Sequence, residues 1–124
     1  MEIALIAHDD KKQELVSFIR KNKALLEVNG INLIATGTTG SLVEKEGFEV
    51  LKMLSGPLGG DAQIAARVAT GQTQLVLFFK DPLGKHPHEP DINMLLRVCD
   101  VHNVPLATNE ASAQLLLTAI SYKS

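Results

Sequence analysis

The sequence has no second cysteine. Cys99 stands alone among 124 residues, which excludes an intramolecular disulfide and any multi-cysteine metal site. It has no basic excess either: Lys plus Arg number 12 against 14 Asp plus Glu, a formal net charge of −2. A dedicated nucleic-acid binder carries a basic surplus, so no nucleic-acid partner is expected. Long apolar runs are absent. The longest, such as Ile3–Ala7 and Leu75–Phe79, hold five residues, whereas a membrane helix needs about 18 or more. No basic-plus-apolar targeting segment precedes Ile3, and a soluble cytoplasmic protein without a membrane partner is expected. No Pro/Gly/Ser linker and no low-complexity segment divides the chain. With 45% apolar and 21% charged residues, disorder, collagen and coiled coil are excluded. The length falls below the roughly 150 residues of an average domain, so one domain spanning 1–124 is expected.

What is present is alternation. Ile3–Ala7 is continuously apolar, as in a strand buried on both faces. Lys11–Asn22 has helical spacing, with Leu15, Phe18 and Ile19 on one side. Further strands are expected over Asn32–Ala35, Val50–Met53, Leu75–Phe79 and Val104–Ala107. Further helices are expected over Ser41–Glu46, Asp61–Thr70, Pro90–His102 and Ala111–Ser121, with Gly47 and Gly71 as stops. Five strand–helix alternations imply an α/β fold: a mainly parallel five-stranded sheet with helices on both faces, a three-layer sandwich. The order of the strands is not readable from the pattern.

In such sheets ligands bind outside the carboxyl ends of the strands, so the loops after the strands should carry the site. The first loop is Ala7-His8-Asp9-Asp10, with Lys12 one turn on. His8 and Lys12 at a helix start suit an anion; the plainer reading makes Asp9 or Asp10 a helix cap. The second is Thr36-Gly37-Thr38-Thr39-Gly40. Its glycines and the following helix dipole suit one small phosphate, although it is neither a Walker A loop nor a dinucleotide fingerprint. A tight turn with a threonine cap explains it equally well. The third, Ser55-Gly56-Pro57-Leu58-Gly59-Gly60-Asp61, packs three glycines and a proline into six residues, an unusual backbone path. Asp61 at its end is either a helix cap or a carboxylate facing the crevice as a general base.

The fourth loop, Asp81 to Asp91, holds three prolines, two histidines and three carboxylates in eleven residues. His86-x-His88 suggests a metal, but Pro87 stiffens the pair and no further His or Cys cluster completes a tetrahedral site, so none is expected. Asp81 reads as an orienting residue, because Asp-Pro at a strand end is a common turn starter. Cys99 falls on an apolar helical face and reads as core. His102 near a helix end is ordinary. Asn109 either caps the last helix or lines the crevice. No nucleophile elbow is present.

Taken together, these loops resemble the methylglyoxal synthase family along nearly the whole chain. The matching strings are Ala7-His8-Asp9 with Lys12, Ala35-Thr36-Gly37-Thr38-Thr39-Gly40, Leu54-Ser55-Gly56-Pro57-Leu58-Gly59-Gly60-Asp61, Phe78-Phe79-Lys80-Asp81-Pro82-Leu83, Pro87-His88-Glu89-Pro90-Asp91 and Pro105-Leu106-Ala107-Thr108-Asn109. Ser-Gly-Pro-Leu-Gly-Gly-Asp and Pro-His-x-Pro-Asp are the specific ones. The resemblance implies a Rossmann-like domain and a carbon–oxygen lyase, without a cofactor, that converts dihydroxyacetone phosphate to methylglyoxal and inorganic phosphate. It implies that Asp61 is the catalytic base, His88 a substrate-contacting histidine and Asp91 its partner carboxylate. His8, Lys12, Thr36, Gly37, Thr38, Thr39, Ser55 and Gly56 align with substrate and phosphate contacts. The family is homohexameric and inhibited by phosphate. Regulatory domains of carbamoyl phosphate synthetase and inosine monophosphate cyclohydrolase share this fold, so a non-catalytic module binding a phosphate-bearing effector is the alternative. Such a module does not require Asp61, His88 and Asp91 together.

Overall fold

Five of the six residues of the first strand, β1 (Glu2–Ala7), alternate between two apolar layers. Ile3, Leu5 and Ala7 enter one; Ala4 and Ile6 enter the other. That two-sided burial is why the run lacks polar interruptions. The computed structural model describes residues 1–28, 30–84 and 92–122. Its strands are β1, β2 (Asn32–Ala35), β3 (Val50–Lys52), β4 (Leu75–Phe79) and β5 (Leu106–Ala107). They form one sheet in the order β3-β2-β1-β4-β5. Every pairing is parallel, with Ile3 opposite both Leu33 and Leu75.

The helices are α1 (Lys12–Lys21), α2 (Lys23–Leu26), α3 (Gly37–Lys45), α4 (Gly60–Ala69), α5 (Ile92–Val101) and α6 (Glu110–Ser121). Leu15, Phe18 and Ile19 of α1, Val43 of α3 and Leu117 of α6 cover one face of the sheet. Ile64 and Val68 of α4 with Leu95 and Cys99 of α5 cover the other. This is the expected three-layer α/β sandwich, with a sheet that is wholly parallel among the described residues. No helix of the described residues is long and apolar enough to cross a membrane.

Two departures bear on the loops. A helix was expected from Ser41, yet α3 begins at Gly37, with Thr36 extended at its cap position (φ −65°, ψ 157°). Thr-Gly-Thr-Thr-Gly is a poor helix former by propensity, but a Cβ at position 37 would lie 3.3 Å from the Ser55 nitrogen. Close packing on the next loop therefore sets the helix start. The second departure is α2, a short turn of helix after α1 that buries Leu26. Gly47 and Gly71 end α3 and α4 as expected, at φ +91° and +79°.

Candidate active site

From β1 the chain crosses one face of the sheet through α1 and α3 to β2 and β3. It returns across the other face through α4, reaching β4 on the opposite side of β1. The carboxyl ends of β1 and β4 are thus the switch point where a crevice opens. His8 follows β1, and Asp81 lies two residues beyond β4. The Asp81 peptide N–H donates to His8 Nδ1 at 2.8 Å, and the His8 N–H donates to the Phe79 carbonyl at 3.0 Å. The His8 ring is buried and stands edge-on to Phe78, centroids 5.1 Å apart at 82°. The Asp81 carboxylate accepts the Leu83 N–H at 3.0 Å. That bond, then a side-chain hydrogen bond with Asp10, the Gly84 N–H and the charge of Lys11, hold its carboxyl below the usual range against a smaller opposing effect of burial.

The second cluster is built where α3 and α4 begin. The Gly37 N–H donates to the Leu54 carbonyl at 3.2 Å, and the Ser55 carbonyl accepts from Leu58 and Gly60, each at 3.0 Å. These bonds set Thr36–Thr39 against Ser55 and Gly56. Gly60 has no alternative, because a Cβ there would sit 1.8 Å from the Leu54 oxygen. At the head of α3 the first-turn N–H groups have no intrahelical acceptor. Beside them the Thr39 hydroxyl is buried and lacks a hydrogen-bond partner among the described residues. Buried hydroxyls are normally satisfied. Donors converging at a positive helix end match a small anion.

Asp61 is not a helix cap: Gly59, at φ +104°, takes that position and Asp61 falls in the first turn of α4. Its Oδ1 accepts the Ala62 N–H at 2.9 Å. Neither Asp9 nor Asp10 stands at a helix cap position, α1 having Lys11 there. Both lie in a 3-10 turn over Asp9–Lys11, at whose cap position stands His8. Lys12 is paired with Asp9, and its side chain is only 16% exposed. Asn109 does cap, its Oδ1 accepting from the Ser112 N–H at 2.9 Å. A cleft of about 300 Å³ beside the crevice is lined by Lys11, Glu14, Lys80, Pro82, Thr108 and Asn109, among others. Cys99 is buried, which pushes its thiol up to about 11, and it is core as expected. His102 is exposed at the end of α5. His86, His88 and Asp91 lie outside the described residues. Sequence reasoning missed the bond between Asp10 and Asp81, because two acids far apart in sequence carry no sign of adjacency.

The family model described as an MGS-like domain matches residues 14–108, so the class is an MGS-like α/β domain. A methylglyoxal synthase of Carboxydothermus hydrogenoformans is 56% identical over 122 residues, covering 98% of this chain and 99% of its own. One from Clostridium botulinum is 54% identical over 118 residues, covering 94% and 98%. The crystal structure of methylglyoxal synthase from Elizabethkingia anophelis superposes with a TM-score of 0.89 at 45% identity, covering 94% of this chain and 76% of that one. The chain belongs to the methylglyoxal synthase family and is an enzyme of that family, a lyase.

Proposed function

We propose that this enzyme converts dihydroxyacetone phosphate to methylglyoxal and inorganic phosphate through an enediolate, with no cofactor, as one catalytic domain over residues 1–124. The observation that carries the reading is the buried Thr39 hydroxyl at the head of α3, which has no hydrogen-bond partner among the described residues. Within the same first turn, the Gly37 N–H is already taken by the Leu54 carbonyl, which leaves the Thr38 and Thr39 N–H groups, with no acceptor inside the helix, for an anion. A phosphoryl oxygen satisfies all of them at once.

Asp61 takes a proton from the hydroxymethyl carbon beside the carbonyl. The electron pair enters the enediolate, whose oxygen is met by hydrogen-bond donors. His88, oriented by Asp91, is the donor assigned there. The bond from carbon to the phosphate oxygen, held across the plane of the enediolate, then breaks, and the pair leaves with phosphate. As it breaks, the hydroxyl on the former hydroxymethyl carbon gives up its proton and becomes the aldehyde; the enol left behind takes a proton on its methylene carbon, loses its hydroxyl proton and becomes methylglyoxal. Thr36, Gly37, Thr38, Thr39, Ser55 and Gly56 hold the phosphoryl group through N–H and hydroxyl donors. Lys12 adds charge, and His8 contacts the substrate. Inhibition by phosphate follows if free phosphate occupies the same cradle. Leu51, Leu54 and Leu58 are each about half exposed or more, which suits assembly into the hexamer implied by the resemblance.

The test is an assay with dihydroxyacetone phosphate in excess chelator, following methylglyoxal and phosphate together, beside Asp61→Asn. Equal release of both products by the wild type, lost in the variant, is the expected result. Saturable phosphate binding without turnover would instead mark a regulatory module.

A further inference from the structure

His8 has a defined hydrogen-bond polarity. Its Nδ1 accepts the Asp81 peptide N–H at 2.8 Å, so that nitrogen carries no proton, and in the imidazole the proton resides on Nε2. Turning the ring over would put a carbon against this N–H and strand a partly buried backbone donor. The ring is held by that bond and by the edge contact with Phe78, and the backbone that carries it is held by the bond from the His8 N–H to the Phe79 carbonyl. No described residue bonds Nε2.

The Asp81 peptide is itself aimed. The Asp81 carboxylate accepts the Leu83 N–H two residues on, at 3.0 Å, an Asx-type turn that mimics a backbone turn. Pro82 between them has a fixed φ and removes one more freedom. The fall in the Asp81 pKa agrees with a carboxylate that is bonded in its charged form.

We propose that Asp81 is a positioning residue for His8: its carboxylate sets the Asp81-Pro82-Leu83 turn, the turn aims the peptide N–H at Nδ1, and that bond commits His8 to donating through Nε2 into the crevice. This deepens the lyase reading and rests on it only for the identity of what His8 meets there. The competing role is direct action of the Asp81 charge on the substrate. Two substitutions separate them. Asp81→Asn keeps an oxygen to accept from Leu83 while removing the charge. Asp81→Ala removes both.

The experiment is a long-range ¹⁵N–¹H correlation spectrum of the ¹⁵N-labelled protein without substrate, with the His8 signals identified by their loss in His8→Gln. The wild type and Asp81→Asn should show the Nε2-protonated pattern, and Asp81→Ala a mixture of both tautomers. In the assay, kcat of Asp81→Ala should fall about tenfold with KM less affected, and Asp81→Asn should recover most of that loss. An Nδ1-protonated pattern in the wild type overturns the proposal without need of any variant that folds. So does a wild-type pattern in Asp81→Ala, or an equal loss of kcat in Asn and Ala. If no protein makes methylglyoxal, the lyase reading fails while the spectra still decide the role of Asp81.

Discussion

Thr39 and Asp61 differ in what surrounds them, and their substitutions should fail differently. The Thr39 hydroxyl has no partner among the described residues, so removing it costs the fold nothing and relieves an unsatisfied buried group. Thr39→Val should keep or raise the melting temperature without ligand. It should also weaken phosphate binding and raise KM together, each by about tenfold or more, the loss of one hydrogen bond to a charged group. Titration calorimetry beside thermal melts checks both halves; a lower melting temperature with unchanged phosphate affinity would make the hydroxyl structural. Asp61→Asn keeps its size, and if Asp61 is the proposed base it should lower turnover by about 10²–10⁴-fold. Both positions were legible in the sequence as candidates, because glycine-rich strings after strands are where α/β folds place ligands. The pairing of Lys12 with Asp9 was not legible. An i, i+3 ion pair depends on the 3-10 turn that brings the two together, and that turn has no signature of its own.

The starts of α3 and α4 carry the proposed phosphate cradle and base, and neither start is set by local propensity. Gly60 heads α4 because its Cα rests against the Leu54 carbonyl, where a Cβ would sit 1.8 Å from the oxygen. That atom belongs to the backbone and cannot move aside as a side chain would. Gly60→Ala should destabilise the fold by about 1–3 kcal/mol or more and displace Ser55 and Asp61 with it. A urea midpoint reads the first effect and turnover the second. Unchanged values for both would mean that the loop relaxes freely. The element order was readable, since apolar runs and helical spacing are local properties. The onset of α3 at Gly37 was not, because it depends on close packing against Ser55 in the loop after the neighbouring strand β3.

At the scale of the molecule, the sheet is tied at the end away from the site. Glu2 at the start of β1 accepts from Arg67 Nε and Nη2 at 2.9 and 2.6 Å and from the Thr73 hydroxyl at 2.5 Å. Burial disfavours the Glu2 charge. The hydrogen bonds from Arg67 and Thr73, with the charges of Arg67 and the amino terminus, outweigh it and hold the carboxyl below its ordinary 4.5. A folded-state pKa below the unfolded one contributes stability that is present above about pH 4.5 and lost as pH falls through the folded value. Stability should therefore decline on acidification below that point. Glu2→Gln, less stable at neutral pH, should show a shallower decline in denaturant titrations. An identical slope in both proteins would place the acid sensitivity elsewhere.

The sequence by itself determined the layers and the chemistry on offer. Burial of apolar runs and stripes depends on residue order alone, and so does the placing of glycines, threonines and carboxylates after strands. Only the tertiary structure decided the strand order, which puts β1 beside β4 and so His8 beside Asp81. It alone decided which donors go unpartnered at α3 and which oxygen blocks a side chain at Gly60. Those outcomes arise from contacts between segments tens of residues apart, and such contacts leave no periodicity to read.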